Sequence, residues 1–400
     1  MGTIQTIIQE GKRAVVRAVR VVHPSFRMSN SFSTALCNTN YWTDSRAYAD
    51  YSTRNPDMNF ELSRDELEQI RAVWEPFVHR PVLTDAFQVQ KGVLGTVDPR
   101  LVPTYIWYNV VLPGICGYME GRIYSDKGMC AELFHDCNRP FEPVRRVNGS
   151  YISAERRLLT PQQACGILQD YNGPLIVKAS INSLQGRSVR LLQGMTPETF
   201  QEVERQYGSD FVYQQPIHQS RQAAQFHPGS VNTFRITTLL LNGQFSILSS
   251  NMRFGSGGSL VDNVGAGTGY IIGVYGDGHV SSIAMGKDHL VDHFGEQQPL
   301  ASARVPGIAK VHAFAEDLHH HLPACSVVGW DIALDEHDEP VLIEANAGNC
   351  GVLLEQLTYA PLFGDRFDEI MDFAVNSKVR KHVGSDMTLR WDAYRPPFYP

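Results

Sequence analysis

No stretch of about 18 consecutive apolar residues occurs, so stable insertion into a membrane is not expected. Nor is a secretory signal expected, because Lys12, Arg13, Arg17 and Arg20 interrupt the first apolar stretch. There is no C-x-x-C pair. The seven cysteines (Cys37, Cys116, Cys130, Cys137, Cys165, Cys325 and Cys350) are odd in number and scattered, a pattern of reduced thiols in a cytoplasmic protein rather than of a disulfide framework or a zinc site. Positive charge is not in excess either: a net charge of -7 and a pI near 6.1 give no electrostatic basis for binding nucleic acid. Internal repeats and low-complexity linkers are also missing. The 400 residues, enough for two or three domains or subdomains, must therefore meet at soft boundaries.

What is present is organised around one hairpin. Gly329 to Leu334 and Pro340 to Asn346 are apolar runs separated by Asp335-Glu336-His337-Asp338-Glu339, which predicts antiparallel strands joined by a tight turn. Asp331 opens the first run, and Glu344 and Asn346, two apart and so on one face, close the second. Two carboxylates and an amide carbonyl at one end of a hairpin suit a hard cation such as Mg2+, which completes its shell with water and substrate phosphates. The same pattern arises when edge carboxylates are held by a structural arginine or by backbone donors, since buried carboxylates are seldom left unpaired.

Along the chain, Ile4 to Val22 is amphipathic and basic, and is read as a helix packing on its own domain rather than on an anionic membrane surface. Residues 23 to 60, rich in Ser, Thr, Asn and Tyr, are expected to be irregular. Ser63-x-x-Glu66 is a capping box that starts a helix through Leu67, Ile70, Val73 and Trp74. The aromatics Tyr105, Trp107, Tyr108, Tyr118 and Tyr124 are assigned to core and lobe interface. Asp126-Lys127 precedes a helical stretch through Met129, Leu133 and Phe134 that ends near Asn138-Arg139-Pro140.

A small α+β lobe follows. Pro174 to Lys178 is a short strand ending on a lysine, Ser183 to Ser188 a polar turn and Val189 to Leu192 the return strand. A helix from Pro197 to Tyr207 then leads to a strand from Phe211 to Ile217. A strand-end lysine beside a small-residue turn can present its charge and the turn's amides to a phosphate. Taken alone, Lys178 reads as an exposed strand-end lysine rather than a phosphate ligand.

A second set of strands begins with Ser230 to Leu241, turns at Asn242-Gly243 and returns through Gln244 to Ser250. Arg235 lies inside an apolar strand, where a guanidinium needs a phosphate or a carboxylate partner. Residues 253 to 270 hold Arg253, six glycines and the pair Asp262-Asn263, read as a lid over a substrate; no helix follows, so this is not a dinucleotide fingerprint. Ile308 to Leu322 is a helix whose last turn carries His319-His320-His321, read as solvated imidazoles at a helix C-terminus because consecutive positions cannot converge on one ion. Cys350 reads as a buried small hydrophobe rather than a nucleophile, a helix runs through Leu353, Leu354 and Leu357, and another spans Phe367 to Val375. The tail from Arg390 to Pro400 reads as an extended segment docked on the body.

In order, these pieces resemble the ATP-grasp superfamily: a lysine before a helix, a strand-end lysine with a small-residue turn, a short extended segment, then a strand layer ending in D…E-x-N. Asp331 and Glu344 stand thirteen apart, as do the metal-binding Asp and Glu of D-alanine-D-alanine ligases, and Asn346 falls where the third ligand belongs. The wording around Asp126-Lys127, Ser230 to Arg235, Val261-Asp262-Asn263 and Gly329 to Ile332 is similar to the sugar-transfer-associated subgroup. The resemblance spans roughly residues 120 to 360.

It implies an α+β ATP-grasp fold in which two lobes hold ATP between antiparallel sheets. The divisions are a helical and irregular N-terminal region (1–123), a small lobe (124–217), a C-terminal lobe with the metal site (218–380) and a tail (381–400). Lys127 and Lys178 would contact ATP phosphates, Gly186, Arg187, Ser188 and Val189 would form the phosphate loop, and Gln214, Gln215 and Ile217 the adenine hinge. Asp331, Glu344 and Asn346 would hold Mg2+, Arg235 and Arg253 would act in catalysis, and Asn232, Asp262, Asn263 and Asn349 would meet the substrate. Two positions depart from the family: Gln214 stands for an acidic hinge residue, and Gly329 for a basic residue two before the metal-binding Asp. The implied activity is a carboxylate-amine ligase working through an acyl phosphate on small-molecule substrates, with a homodimer compatible. The alternatives are phosphoryl transfer to a hydroxyl, or nucleotide binding without turnover.

Overall fold

The computed structural model describes residues 43–78, 82–116, 124–180, 189–258, 262, 264, 267, 269–295, 297–305, 307–347 and 350–376. The N-terminal basic stretch, Tyr118, Gly186, Arg187, Ser188, Asn263, Asn349 and the tail lie outside the described residues.

Turn chemistry sets the larger of two antiparallel sheets. Asn242 (φ 53°) and Gly243 (φ 76°) both adopt positive φ, the requirement of a type I′ hairpin turn, and join β7 (Thr233–Leu241) to β8 (Gln244–Gly255). β14 (Val327–Leu334) and β15 (Pro340–Ala347) form the predicted hairpin. With β9 (Gly269–Gly273), β10 (Ala284–Met285) and β11 (Leu290–Val291), the order among the described residues is β11-β10-β9-β8-β7-β14-β15. A two-stranded ribbon, β12 (His293–Phe294) and β13 (Gln298–Pro299), stands apart.

Alternation divides this sheet's faces. Phe234, Ile236, Val328, Trp330 and Ile332 point to one side and share a core with Val311, Ala315 and Leu318 of the helix Ile308–His320. On the other face the sheet is apolar at one end, where Leu239, Leu241 and Val327 join a second core, and polar at the other, where Arg235 and Asp331 lie.

The smaller sheet has the order β3-β2-β1-β6-β4-β5. Its strands are β1 (Val144–Val147), β2 (Ser150–Ser153), β3 (Leu158–Leu159), β4 (Leu175–Ala179), β5 (Val189–Leu192) and β6 (Phe211–Gln214). Each helix packed on it has a capped start. Thr160 and Gln163 form a capping box ahead of Pro161–Asp170, and Thr196 accepts from the Thr199 amide ahead of Pro197–Tyr207. Val144, Leu175, Val177 and Tyr213 face these helices, leaving Arg145, Ile176, Lys178 and Gln214 on the open face.

The helices are labelled α1 (Thr43–Arg54), α2 (Arg64–Trp74), α3 (Asp85–Leu94), α4 (Lys127–Leu133), α5 (Pro161–Asp170), α6 (Pro197–Tyr207), α7 (Ile308–His320), α8 (Leu353–Thr358) and α9 (Phe367–Asn376). The Ser63–Glu66 capping box opens α2 as expected.

Three expectations need correction. Residues 43–54 form a helix, not irregular chain, because polar residues there find distant partners: Tyr51 Oη donates to the Gly286 carbonyl and Asp44 accepts from the Thr104 amide. β6 ends at Gln214, three residues short of Ile217. His319 is not solvated: it is fully buried, with Nδ1 2.7 Å from Thr238 Oγ1 and Nε2 2.7 Å from the Cys325 carbonyl.

The N-terminal helices share one core with the large sheet, through Tyr51, Trp74, Phe87 and Trp107 on one side and Leu239, Leu357, Phe367 and Ile370 on the other. Among the described residues no disulfide forms, and no helix is long and apolar enough to cross a membrane.

Candidate functional site

Register places Asn251, Arg235, Asp331 and Glu344 in one row across β8, β7, β14 and β15. Directly opposed residues in antiparallel strands project to the same face. Asp331 is the fifth residue of β14 rather than its first, and a bulge beside it, at the step to Ile332, shifts β15 so that Glu344 comes opposite.

Arg235 grips Asp331 with two bonds, Nε to Oδ1 at 2.5 Å and Nη2 to Oδ2 at 3.0 Å. Arg253 adds a third, Nη2 to Oδ2 at 2.9 Å, and also donates to Thr233 Oγ1, which itself donates to Asp262. Burial pushes the Asp331 carboxyl up, but the two guanidinium groups outweigh it and hold the carboxyl well below the usual carboxylate range. Asp262 goes the other way: burial raises it, and Arg253 and Thr233 only partly offset the rise.

Glu344 is held from outside the sheet. Lys127, first residue of α4, places Nζ 2.8 Å from Glu344 Oε1. Asp126 caps this helix by accepting from the Gly128 amide, and the Lys127 amide donates to the Ser180 carbonyl, so the start of α4 is tied to the end of β4. Lys178 lies on β4 with its ammonium buried and without a hydrogen-bond or ion-pair partner among the described residues. Burial and then the neighbouring Lys127 charge pull it below the ordinary lysine value, with Glu344 and Glu142 opposing.

Asn346 lies two residues beyond Glu344 on the same face, and its Nδ2 is buried with no hydrogen-bond partner among the described residues. Two facing carboxylates and the side-chain oxygen of Asn346, all on one face, form a ligand set that fits a hard divalent cation. Both carboxylates are otherwise matched by the arginines and by Lys127, so the two readings of the sequence describe the same residues.

Gly329 has a steric reason. A Cβ there would lie 2.8 Å from Cys350 Sγ and 3.5 Å from Arg235 Cδ, so no basic side chain fits unless its neighbours shift. Cys350 is buried with its thiol pushed up to about 12 by burial, and Sγ lies 3.3 Å from the Asn346 carbonyl, which agrees with the apolar reading.

Of the remaining predicted residues, Gln214 and Val189 lie on the same face of the small sheet as Lys178. Gln214 is buried, but its amide donates to Glu142. The Gln215 amide donates to the Phe141 carbonyl, and Ile217 is half-buried. Val189 is an exposed start of β5, opposite Lys178. Asn232 is fully buried and donates to the Ala223 and His227 carbonyls, the pattern of a loop clamp.

Sequence reasoning missed Glu142, buried beside Gln214 with Arg139 3.8 Å away and its carboxyl raised by burial. Lying between Pro140 and Pro143 in an irregular stretch, it carries no periodic signal.

Residues 196–370 match the family model described as sugar-transfer associated ATP-grasp. The ATP-grasp match takes in α6, the whole large sheet and the row from Arg235 to Glu344, and stops short of Lys127 and Lys178.

Solved structures similar to the chain include the β-γ-ATP complex of biotin carboxylase from Campylobacter jejuni (11% identity, 63% of this chain and 46% of that one, TM-score 0.38). D-alanyl-alanine synthetase A from Vibrio cholerae is another (13%, 63% and 65%, TM-score 0.35). A third is carboxyaminoimidazole ribonucleotide synthase from Aspergillus clavatus complexed with ATP (13%, 57% and 46%, TM-score 0.35). At such TM-scores the superpositions add nothing to what the two sheets show. The chain spans 44–46% of the length of the carboxyaminoimidazole ribonucleotide synthetases it matches. No curated protein matches the chain.

Proposed function

We propose that the chain is an ATP-dependent carboxylate-amine ligase, with nucleotide held between the open face of the small sheet and the polar end of the large one. The observation that carries this reading is the buried ammonium of Lys178. It lies next to the Lys127–Glu344 pair, which continues through Asp331 to Arg235 and Arg253. A buried lysine with no ion pair among the described residues fits a phosphate group.

In this reading Lys127 and Lys178 bind and orient the ATP phosphates, and Glu142 with Gln214 lies at the adenine and ribose end. Asp331, Glu344 and Asn346 would hold Mg2+, which when bound neutralises phosphate charge. Arg235 and Arg253 neutralise the phosphoryl group as it passes to a substrate carboxylate, giving an acyl phosphate and ADP. An amine then displaces phosphate to form the amide. No protein nucleophile is required, in keeping with the thiol of Cys350 being held protonated.

The test is hydroxylamine trapping with Mg2+, ATP and a panel of amino acids, uronic acids and small peptides. Hydroxamate together with ADP supports the reading. ADP without hydroxamate, formed with a hydroxyl compound, moves it to phosphoryl transfer. Glu344→Gln is expected to keep the fold and abolish ADP release, and undiminished release from that variant would remove Glu344 from the metal set.

A further inference from the structure

The three consecutive histidines do not act together, yet one of them has other company. His319 turns inward, whereas His321, at the C-terminal cap of α7, faces the turn that follows α4. There His321 Nε2 lies 3.6 Å from Cys137 Sγ, Cys137 Sγ lies 3.7 Å from Asp136 Oδ1, and His321 Nδ1 lies 3.9 Å from that same oxygen. One ligand atom from each residue falls within 4.8 Å of the other two.

These separations can be compared with a coordination polyhedron. A tetrahedral ion with a sulfur bond of about 2.3 Å and nitrogen or oxygen bonds of about 2.0–2.1 Å has S···N and S···O edges of about 3.5 Å. Both sulfur edges of the cluster already come within about 0.2 Å of that value. A thiol hydrogen bond accounts for either sulfur edge singly, to Asp136 Oδ1 or to His321 Nε2, whereas one shared ion accounts for a ligand atom of all three residues lying within 4.8 Å of the others.

We propose that Asp136, Cys137 and His321 form a binding site for a divalent ion of the zinc type, with water completing the tetrahedron. The thiolate and imidazole donors select zinc or cobalt over magnesium, the reverse of the all-oxygen set on β14 and β15. The cysteine spacing gave no sign of such a site because its ligands come from two segments almost two hundred residues apart and include one cysteine.

Position gives the site a consequence. Just beyond Cys137, Asn138 is bonded twice to β15: its Nδ2 donates to the Pro340 carbonyl and its carbonyl accepts from the Leu342 amide. An ion on Asp136, Cys137 and His321 therefore staples the far end of α4, whose first residue is Lys127, to the end of α7 on the large sheet.

The test uses the full chain, stripped of metal with a chelator and titrated with Co2+. The expected result is one equivalent of thiolate-bound cobalt, read from charge-transfer absorption in the near ultraviolet that Zn2+ bleaches. Cys137→Ser abolishes the band, His321→Ala weakens binding at least tenfold, and Glu344→Gln leaves the thiolate band unchanged. Zn2+ raises the thermal transition of the wild-type chain but not of Cys137→Ser. Absence of the thiolate band from wild type, or its persistence in Cys137→Ser, overturns the proposal. Since Cys137 is only partly buried, at the edge of the large-sheet core, and His321 is exposed, each variant is expected to fold, and circular dichroism checks it.

Discussion

Lys127 Nζ lies 2.8 Å from Glu344 Oε1, and through this contact the first residue of α4 meets the outermost strand of the large sheet. Lys127→Met removes the cation that faces Glu344 and one of the two proposed phosphate ligands. ADP release is expected to fall by about 10²–10³-fold, as for loss of one preorganised charge-stabilising donor, with circular dichroism unchanged. A variant within threefold of wild type would separate Lys127 from the site.

Asp331 is a different case, because burial makes it structural as well. Asp331→Asn leaves Arg235 and Arg253 without their shared counter-ion in a buried setting, which typically costs about 3–5 kcal/mol. Urea unfolding should show this loss, and Glu344→Gln, more exposed, should show much less.

The steric account of Gly329 gives a paired prediction. Gly329→Ala puts a Cβ 2.8 Å from Cys350 Sγ and is expected to cost about 1–3 kcal/mol of overpacking. In a Cys350→Ala background the sulfur is gone, and the same substitution should cost less than half as much. Equal costs in both backgrounds would place the strain elsewhere.

Asp44 supplies a pH dependence. Burial first raises its carboxyl to about 6, and the hydrogen bonds from Thr104 do not fully reverse this. The folded chain therefore holds a proton that the unfolded chain, with an ordinary value of about 3.9, has already lost. This group's contribution is complete below about pH 4 and is lost as pH rises through about 6. Asp44→Asn should remove that slope and raise stability at pH 7, and a wild-type-like slope between pH 4 and 6 in the variant would assign it to another group.

Legibility followed how local the cause was. The Asp331 to Glu344 hairpin, the Asn242-Gly243 turn and the Ser63–Glu66 box are short-range signals and form as expected, although Asp331 is the fifth residue of its strand rather than its first. The helix from Thr43 was hidden because Asp44 and Tyr51 read as polar until Thr104 and Gly286 reach them from far along the chain. The burial of His319 has the same cause, its partners Thr238 and Cys325 being supplied by folding. Glu142 had no pattern to betray it. The double use of Asp331, as arginine partner and metal candidate, appears only once β7, β8 and β14 are side by side.

The central claim is that the space between the two sheets is a magnesium-nucleotide site. Its most direct test is calorimetric titration with a non-hydrolysable ATP analogue, with and without Mg2+, on the wild-type chain and on Lys178→Met and Glu344→Gln. The account predicts that wild type binds one equivalent, that omitting Mg2+ or substituting Glu344 weakens binding at least tenfold, and that Lys178→Met weakens it whether or not Mg2+ is present. Binding that ignores Mg2+ and both substitutions, or no binding by the folded wild-type chain, would contradict it.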